Sequence, residues 1–280
     1  MAAEVASGAI RVGIGGWTYE PWRGTFYPPQ LSQKRELDYA SRHLSSIEIN
    51  GTYYGYQKPA TFAKWRDETP DGFVFSVKAP RFAVNRKVLA DAGNAITRFL
   101  ASGVMELKNK LGPINWQFLP TQAFDARDFA AFLSLLPKEA AGQSLRHAVE
   151  VRHDSFRCAD FVALAREHGV AVAMAGDSEH PQIADPTAAF VYARIMGTQA
   201  AEKSGYSRKM LDLWASRALA WARGSLPDGL DYVGPRGKAG KPRDVFLYVI
   251  SGHKAHNPAA AMALIERLEN TQTRQPLRPQ

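Results

Sequence analysis

Charged and amide side chains interrupt the apolar runs of this 280-residue chain at recurring places, and their spacing suggests one shared site. Glu48 and Asn50 stand two residues apart at the end of SIEIN (46–50), and Ser76 and Lys78 do so in FVFSVK (73–78). Asn115 and Gln117 fall within INWQF (114–118). Glu150 and Arg152 close HAVEVR (147–152), with His153 next. Asp177 follows a sixth apolar run, and Arg194 lies inside a seventh. Residues two apart on a strand share a face, and a buried strand does not carry a charge unless it is paired or used. Carboxylates (Glu48, Glu150, Asp177) among cations (Lys78, Arg152, Arg194) can work as acid and base once their surroundings separate their pKa values. Arginines suit bidentate capture of a carboxylate or phosphate. The expected catalytic set is therefore Glu48, Lys78, Glu150, His153 and Asp177. Glu150 or Glu48 would be the general base and His153 or Asp177 its partner, with Lys78, Arg152 and Arg194 on a bound anion. The competing reading is a set of ion pairs that only fills a core, with His153 a hydrogen-bonded structural imidazole.

Other residues extend the expected binding surface. Rings crowd two segments, Trp17, Tyr19, Trp22, Phe26 and Tyr27, then Tyr53, Tyr54 and Tyr56. Some must be packing; others can stack on a sugar face or a base. Two Gly/Ser segments, 197–207 (GTQAAEKSGYS) and 251–257 (SGHKAHN), could present backbone N–H groups from Gly197, Ser251 and Gly252 to an anion. No cofactor fingerprint is evident. A divalent metal on Glu48, Glu150, His153 and Asp177 is a weaker reading, since there is no H-E-x-x-H and no cysteine pair. His253 and His256 are spaced i, i+3, but Pro258 marks a loop entering a helix.

These residues need elements to position them. Short apolar runs, rich in β-branched residues, recur at 11–15, 46–50, 73–78, 114–118, 147–152, 170–175, 190–196 and 245–251, as expected of strands buried on both faces of a parallel sheet. Helical stripes fall between them: Ile96, Phe99, Leu100 and Leu107; Phe129, Phe132, Leu133 and Leu136 behind an Asp125 N-cap; and Leu211, Trp214, Ala215 and Ala218. A short helix at 161–168 can end at Gly169. Eight strand–helix units over about 250 residues predict an α/β fold, a (β/α)8 TIM-type barrel in one domain at 10–270. Flexible ends are expected at 1–9 and 271–280. A doubly wound sheet is disfavoured because Gly13, Gly15 and Gly16 give only a truncated G-x-G-x-x-G. In a barrel the charged strand ends converge on one mouth.

Composition adds bounds. Hydrophobic residues make up 45% of the chain, enough for a sizeable core. The net charge of +8 favours anionic partners, a phosphorylated metabolite or nucleic acid, although no long Lys/Arg block appears. The basic segment 234–243 (GPRGKAGKPR) precedes the last strand and should lie at the face opposite the mouth. Cys158 is the only cysteine, so no intrachain disulfide forms. No signal segment or membrane span is read, and a cytoplasmic protein is expected.

Six segments in order resemble the YecE-like family, the domain of unknown function 72: GIGGWTYEPWRGTFYP (13–28), IEINGTYY (47–54), FVFSVKAPRF (73–82), LGPINWQFLP (111–120), AVEVRHDSF (148–156) and FVYARIMG (190–197). The resemblance runs from about Ile10 to Leu268. It implies a TIM-type barrel with a strand-end site, and it brings no reaction. Two positions depart from the family pattern. Met196 precedes Gly197 where a histidine is usual, and VISGHKAHNP (249–258) replaces an Asn-Asn-Asp-like cluster. Together these observations point to an enzyme of hydrolase or lyase type on a small polar anionic or carbohydrate-like substrate. The alternatives are a nucleic-acid-binding or processing barrel and a metabolite-binding protein without catalysis.

Overall fold

The computed structural model describes residues 7–234 and 240–273. Eight parallel strands close into a barrel: β1 (Ile10–Gly15), β2 (Ser46–Ile49), β3 (Val74–Lys78), β4 (Leu111–Gln117), β5 (His147–Glu150), β6 (Ala171–Gly176), β7 (Phe190–Ile195) and β8 (Asp244–Val249). The order around the barrel follows the chain, and β8 pairs with β1 to close it. All eight strands lie within one or two residues of the expected runs at most boundaries. A two-residue antiparallel ribbon (Glu139–Ala140 with Gln143–Ser144) precedes β5.

Among the described residues seven longer helices coat the barrel: α1 (Glu36–His43), α2 (Pro59–Asp67), α3 (Gly93–Ala101), α4 (Ala126–Ser134), α5 (Ala159–Glu167), α6 (Arg208–Ala222) and α7 (Asn257–Thr273). Local chemistry sets several ends. Asp125 Oδ1 accepts from the Asp128 N–H at 2.9 Å as the expected N-cap of α4, and Gly169 follows α5 at φ +66°. Leu107 and Leu136 lie beyond the helices to which their spacing assigned them. One expected element is absent. The link between β6 and β7 contains no helix. Residues following α6 cover it instead: Ala184 N–H donates to Asp231 O at 2.9 Å, and Asp185 accepts from Val233 and Gly234 N–H at 2.7 and 2.9 Å. Backbone groups that a helix would have paired internally are satisfied across this contact. Of the basic segment, residues 235–239 lie outside the described residues. Arg243 sits at the start of β8, opposite the mouth, as expected. Residues 1–6 and 274–280 of the two expected flexible ends also fall outside.

The barrel interior is filled asymmetrically. Small residues on β5 and β6 (Ala148, Ala171, Ala173) share a buried cluster with Phe190 and Tyr192 of β7, Phe246 and Tyr248 of β8, and Val74. Large rings on one wall thus fill space left by alanines on the other. On β1 even a methyl is excluded: a Cβ at Gly13 would lie 2.0 Å from Ser46 O. Gly13→Ala should therefore cost about 1–3 kcal/mol through forced separation of β1 and β2, measured by urea unfolding.

His147 opens β5 and faces outward. Its Nδ1 accepts from the Trp116 indole N–H at 3.1 Å, and Nε2 lies 2.8 Å from Pro137 O. This pattern needs neutral imidazole protonated on Nε2. Burial pushes the His147 pKa below 6.5, against the Pro137 bond that favours the charged form. The sign follows: the folded state refuses a proton that the unfolded chain accepts, so stability is full above pH 6.5 and falls as pH drops below it. Thermal unfolding between pH 7.5 and 5 should show this loss, and His147→Gln should flatten the slope.

Candidate active site at the barrel mouth

The register places the charged residues on one side of the wall. Glu48 pairs with Ser76, Lys78 with Asn115, Gln117 with Glu150, and Arg194 with Ala175 and Tyr248. Paired residues on neighbouring strands point the same way, so these side chains meet inside the C-terminal end of the barrel. Arg194 is the hub. Its Nη1 donates to Glu150 Oε2 at 2.6 Å and its Nη2 to Glu48 Oε1 at 3.0 Å. Arg152 grips Glu150 Oε1 with Nε and Nη2 at 3.0 and 2.7 Å. Tyr192 OH donates to Glu48 Oε2 at 2.5 Å, and Asn115 Nδ2 spans the two carboxylates at 3.4 and 3.2 Å. A hydroxyl layer lies below. Ser76 Oγ is 2.6 Å from Tyr192 OH, and Ser46 Oγ is 2.7 Å from Tyr248 OH.

Glu48 and Glu150 are fully buried, and Arg194 nearly so. Burial alone would raise the Glu150 pKa, but Arg194, Arg152 and Lys78 outweigh it and hold the carboxyl at about 2. Burial would likewise lower Arg194, and the two glutamates outweigh that and raise it. Both carboxylates are therefore committed to holding the arginines. The general-base role expected of Glu150 has this against it, because a carboxylate with a pKa near 2 takes up protons poorly at neutral pH; Glu48 is held by Arg194, Tyr192 and Asn115.

Lys78 differs. It is 8% exposed, and among the described residues its ammonium makes no ion pair or hydrogen bond; it sits 4.6 Å over the Tyr53 ring. Burial lowers its pKa below 10.5, and Arg194 and Arg152 push the same way against the pull of Glu48 and Glu150. Three cations face two carboxylates here. Asn115 Oδ1, Gln117 Oε1 and Arg194 Nε are also buried without a hydrogen-bond partner among the described residues.

Other expected site residues lie elsewhere. Asp177 is exposed, with φ +52° turning it from the strand path, and its Oδ2 accepts from Trp214 Nε1 of α6 at 2.8 Å. His153 caps the turn Asp154–Phe156 by accepting from Ser155 N–H at 3.2 Å, with Ser155 Oγ 2.8 Å away. That is the structural arrangement weighed against its catalytic one. Trp17 packs outward, edge-on to Trp65 of α2 at 5.1 Å and against Phe75. Tyr19 carries the Lys254 ammonium 4.1 Å above its ring. Asn50 sits against β1, where a Cβ at Gly15 would meet its Nδ2 at 2.9 Å. The Gly197 N–H is spent on Tyr206 OH at 2.8 Å. Ser251 and Gly252, at φ +62° and +58°, lie against Thr198, whose Oγ1 is 3.1 Å from Ser251 O and 2.8 Å from Asn257 Oδ1. The two expected anion loops are thus bound to one another. Glu48, Glu150, His153 and Asp177 are not gathered on one point, and among the described residues no group of three or more His, Cys, Asp or Glu could hold a metal ion.

Besides Tyr192 and Tyr248, one residue on the rim of the mouth escaped the sequence reading. His180, half-buried in the link from β6 to β7, feels the charges of Arg152, Glu150 and Arg194; burial and Arg152 lower its pKa from 6.5. Surface grooves lie away from this cluster, between α6 and α7 around Asp212 and Arg267, and at the far end of the barrel around Arg146 and Asp244. They are lined by the ion pairs Arg267–Asp212 and Arg146–Asp244. Among the described residues no helix is long and apolar enough to cross a membrane.

Comparison with known proteins agrees with the barrel. Over 150 residues the chain is 31% identical to the UPF0759 protein YecE of Escherichia coli strain K12, covering 52% of this chain and 50% of that protein. The chain spans about half the length of the curated relatives it matches first. The crystal structure of a DUF72 family protein from Thermotoga maritima superposes with a TM-score of 0.71 at 20% identity, covering 93% of this chain and 99% of that one. A xylose isomerase-like TIM barrel/4-hydroxyphenylpyruvate dioxygenase fusion protein gives a TM-score of 0.50 at 12% identity, over 97% of this chain and 46% of the fusion. At these identities the superpositions speak for fold alone. The profile of the family described as "Protein of unknown function DUF72" matches residues 11–280, and the chain belongs to that family.

Proposed function

We propose that the barrel mouth binds a small anionic, oxygen-rich substrate and carries out acid–base chemistry of the hydrolase or lyase type. The excess buried cation is the observation behind this reading. Glu48 and Glu150 neutralise Arg194 and Arg152, which leaves the Lys78 ammonium without a carboxylate partner in a site of low dielectric. An anion entering the mouth gains from Lys78 and from the face of Arg152 turned to solvent. The unpartnered Asn115 Oδ1, Gln117 Oε1 and Arg194 Nε favour a ligand with hydroxyl and anionic oxygens together. Proton transfer falls to Lys78 and His180, whose protonated forms are made more acidic by the site, while Glu48 and Glu150 act by positioning the arginines. Metabolite pull-down with mass spectrometry should enrich carboxylated or phosphorylated compounds and lose them with Arg152→Gln. Recovery of neutral compounds only would contradict the reading.

A second reading has its own observation. Tyr54, Tyr56 and Phe82 are exposed on the loops after β2 and β3, beside Lys58, Arg81 and Lys87, which make no ion pair among the described residues. Rings interleaved with cations favour single-stranded nucleic acid. Retention of an oligonucleotide that falls steeply with salt would support it; no retention at low salt would remove it.

A further inference from the structure

We propose that Lys78 is a covalent nucleophile that forms an imine with the carbonyl carbon of a keto or aldehyde substrate bearing an anionic group. The inference rests on the anion-site reading above and goes beyond proton transfer. An amine that attacks carbon must be reachable, desolvated and free of a carboxylate that would fix it as ammonium. The Lys78 side chain ends a barrel strand, at the end where the mouth opens. The nearby carboxylates of Glu48 and Glu150 are already engaged by Arg194 and Arg152. The only described contact of the ammonium is the Tyr53 ring, whose face attracts the cation and donates no hydrogen bond that would occupy the lone pair of the free amine. Its pKa, lowered by burial and by the two arginines, enlarges the free-amine fraction near neutrality. Arg152, partly open to solvent, lies where it can hold the anionic group of the substrate.

The step balances without a further reactant. The Nζ lone pair forms the N–C bond as the carbonyl π pair moves to oxygen, which takes up a proton. The carbinolamine then loses that oxygen as water while nitrogen forms the C=N bond. Starting from the ammonium, one cation and one carbonyl give one protonated imine and one water.

The test is reductive trapping of the intact protein with pyruvate as probe and cyanoborohydride as hydride donor, followed by peptide mapping. A single adduct is expected on Lys78, its mass that of pyruvate less one oxygen atom. It should form roughly tenfold or more faster than adducts on exposed Lys34 or Lys87, since pyruvate bound at the mouth is held beside the amine whereas surface lysines meet it only by collision. Lys78→Arg, which keeps the charge, should abolish the adduct but still bind pyruvate in calorimetry. Adducts spread over surface lysines without preference for Lys78 would overturn the proposal. If the wild type binds pyruvate yet gives no adduct, the imine falls and the anion site stands. If it binds neither pyruvate nor inorganic phosphate, the underlying reading falls as well.

Discussion

Arg194→Met is expected to destabilise the barrel by about 3–5 kcal/mol at pH 7.5, because it strips both buried carboxylates of their shared cation. Glu48 would keep the Tyr192 hydroxyl and a long amide contact, and Glu150 would keep Arg152. A buried carboxylate held mainly by neutral donors pays most of its desolvation uncompensated. On a chain of this size the loss corresponds to a fall in Tm of roughly 10 °C. The pH dependence separates this cause from ordinary loss of packing. In the wild type the depressed Glu150 pKa gives stability that is full above 4.5 and lost as pH falls towards about 2. Loss of the guanidinium favours the neutral carboxyl form in the buried site, so protonation relieves the penalty, and the gap between variant and wild type should narrow from pH 7.5 to pH 5. A packing defect would leave the gap unchanged. Urea unfolding of both proteins at the two pH values makes the measurement.

Lys78→Met is expected to act in the opposite direction on stability. The folded state lowers the Lys78 pKa, so the protonated amine is a cost that is fully present at neutral pH and is relieved only as pH rises towards 10.5. An isosteric apolar side chain beneath the Tyr53 ring removes that cost and should raise stability by about 0.5–2 kcal/mol. The same change should weaken anion binding about 10- to 100-fold, the equivalent of a charge-assisted hydrogen bond of about 1.5–3 kcal/mol. A variant that gains stability while losing its ligand marks a residue retained for binding or chemistry. Loss of both stability and binding would mean that Lys78 is part of the structural lattice. Thermal unfolding together with phosphate calorimetry distinguishes the two.

Much of this site could be read from the chain because strand geometry is simple. Glu48, Lys78, Glu150 and Arg194 are charged residues in apolar runs, and period-two alternation puts them on one face; closure of the barrel then brings them together. Tyr192, two residues before Arg194, carries the same signal, and so does Tyr248 within VFLYVI. Their part in the hydroxyl layer was therefore legible but unread. The loops were not legible in the same way. Asp177 follows the strand pattern, yet a left-handed backbone at that residue sends its carboxylate to Trp214. Trp17 belongs to a ring-rich segment that folds back over the outside of β3. His180 has no periodicity to mark it, because its link carries no helix and takes its path from contacts with residues 231–234. Gly197, Ser251 and Gly252 have the composition of an anion loop, but the Gly197 N–H is taken by Tyr206 and the Ser251 carbonyl by Thr198, a pairing that only the folded chain reveals.

The protonation of Lys78 bears most directly on the site as a whole. Selective carbon-13 labelling of lysine and an NMR pH titration, with assignment by Lys78→Arg, measures it in the intact protein. The expected result is a midpoint below 10.5 that climbs when inorganic phosphate is added, since a bound anion restores the partner that the ammonium lacks. A midpoint at or above 10.5 that phosphate does not move would contradict an uncompensated cation at the mouth.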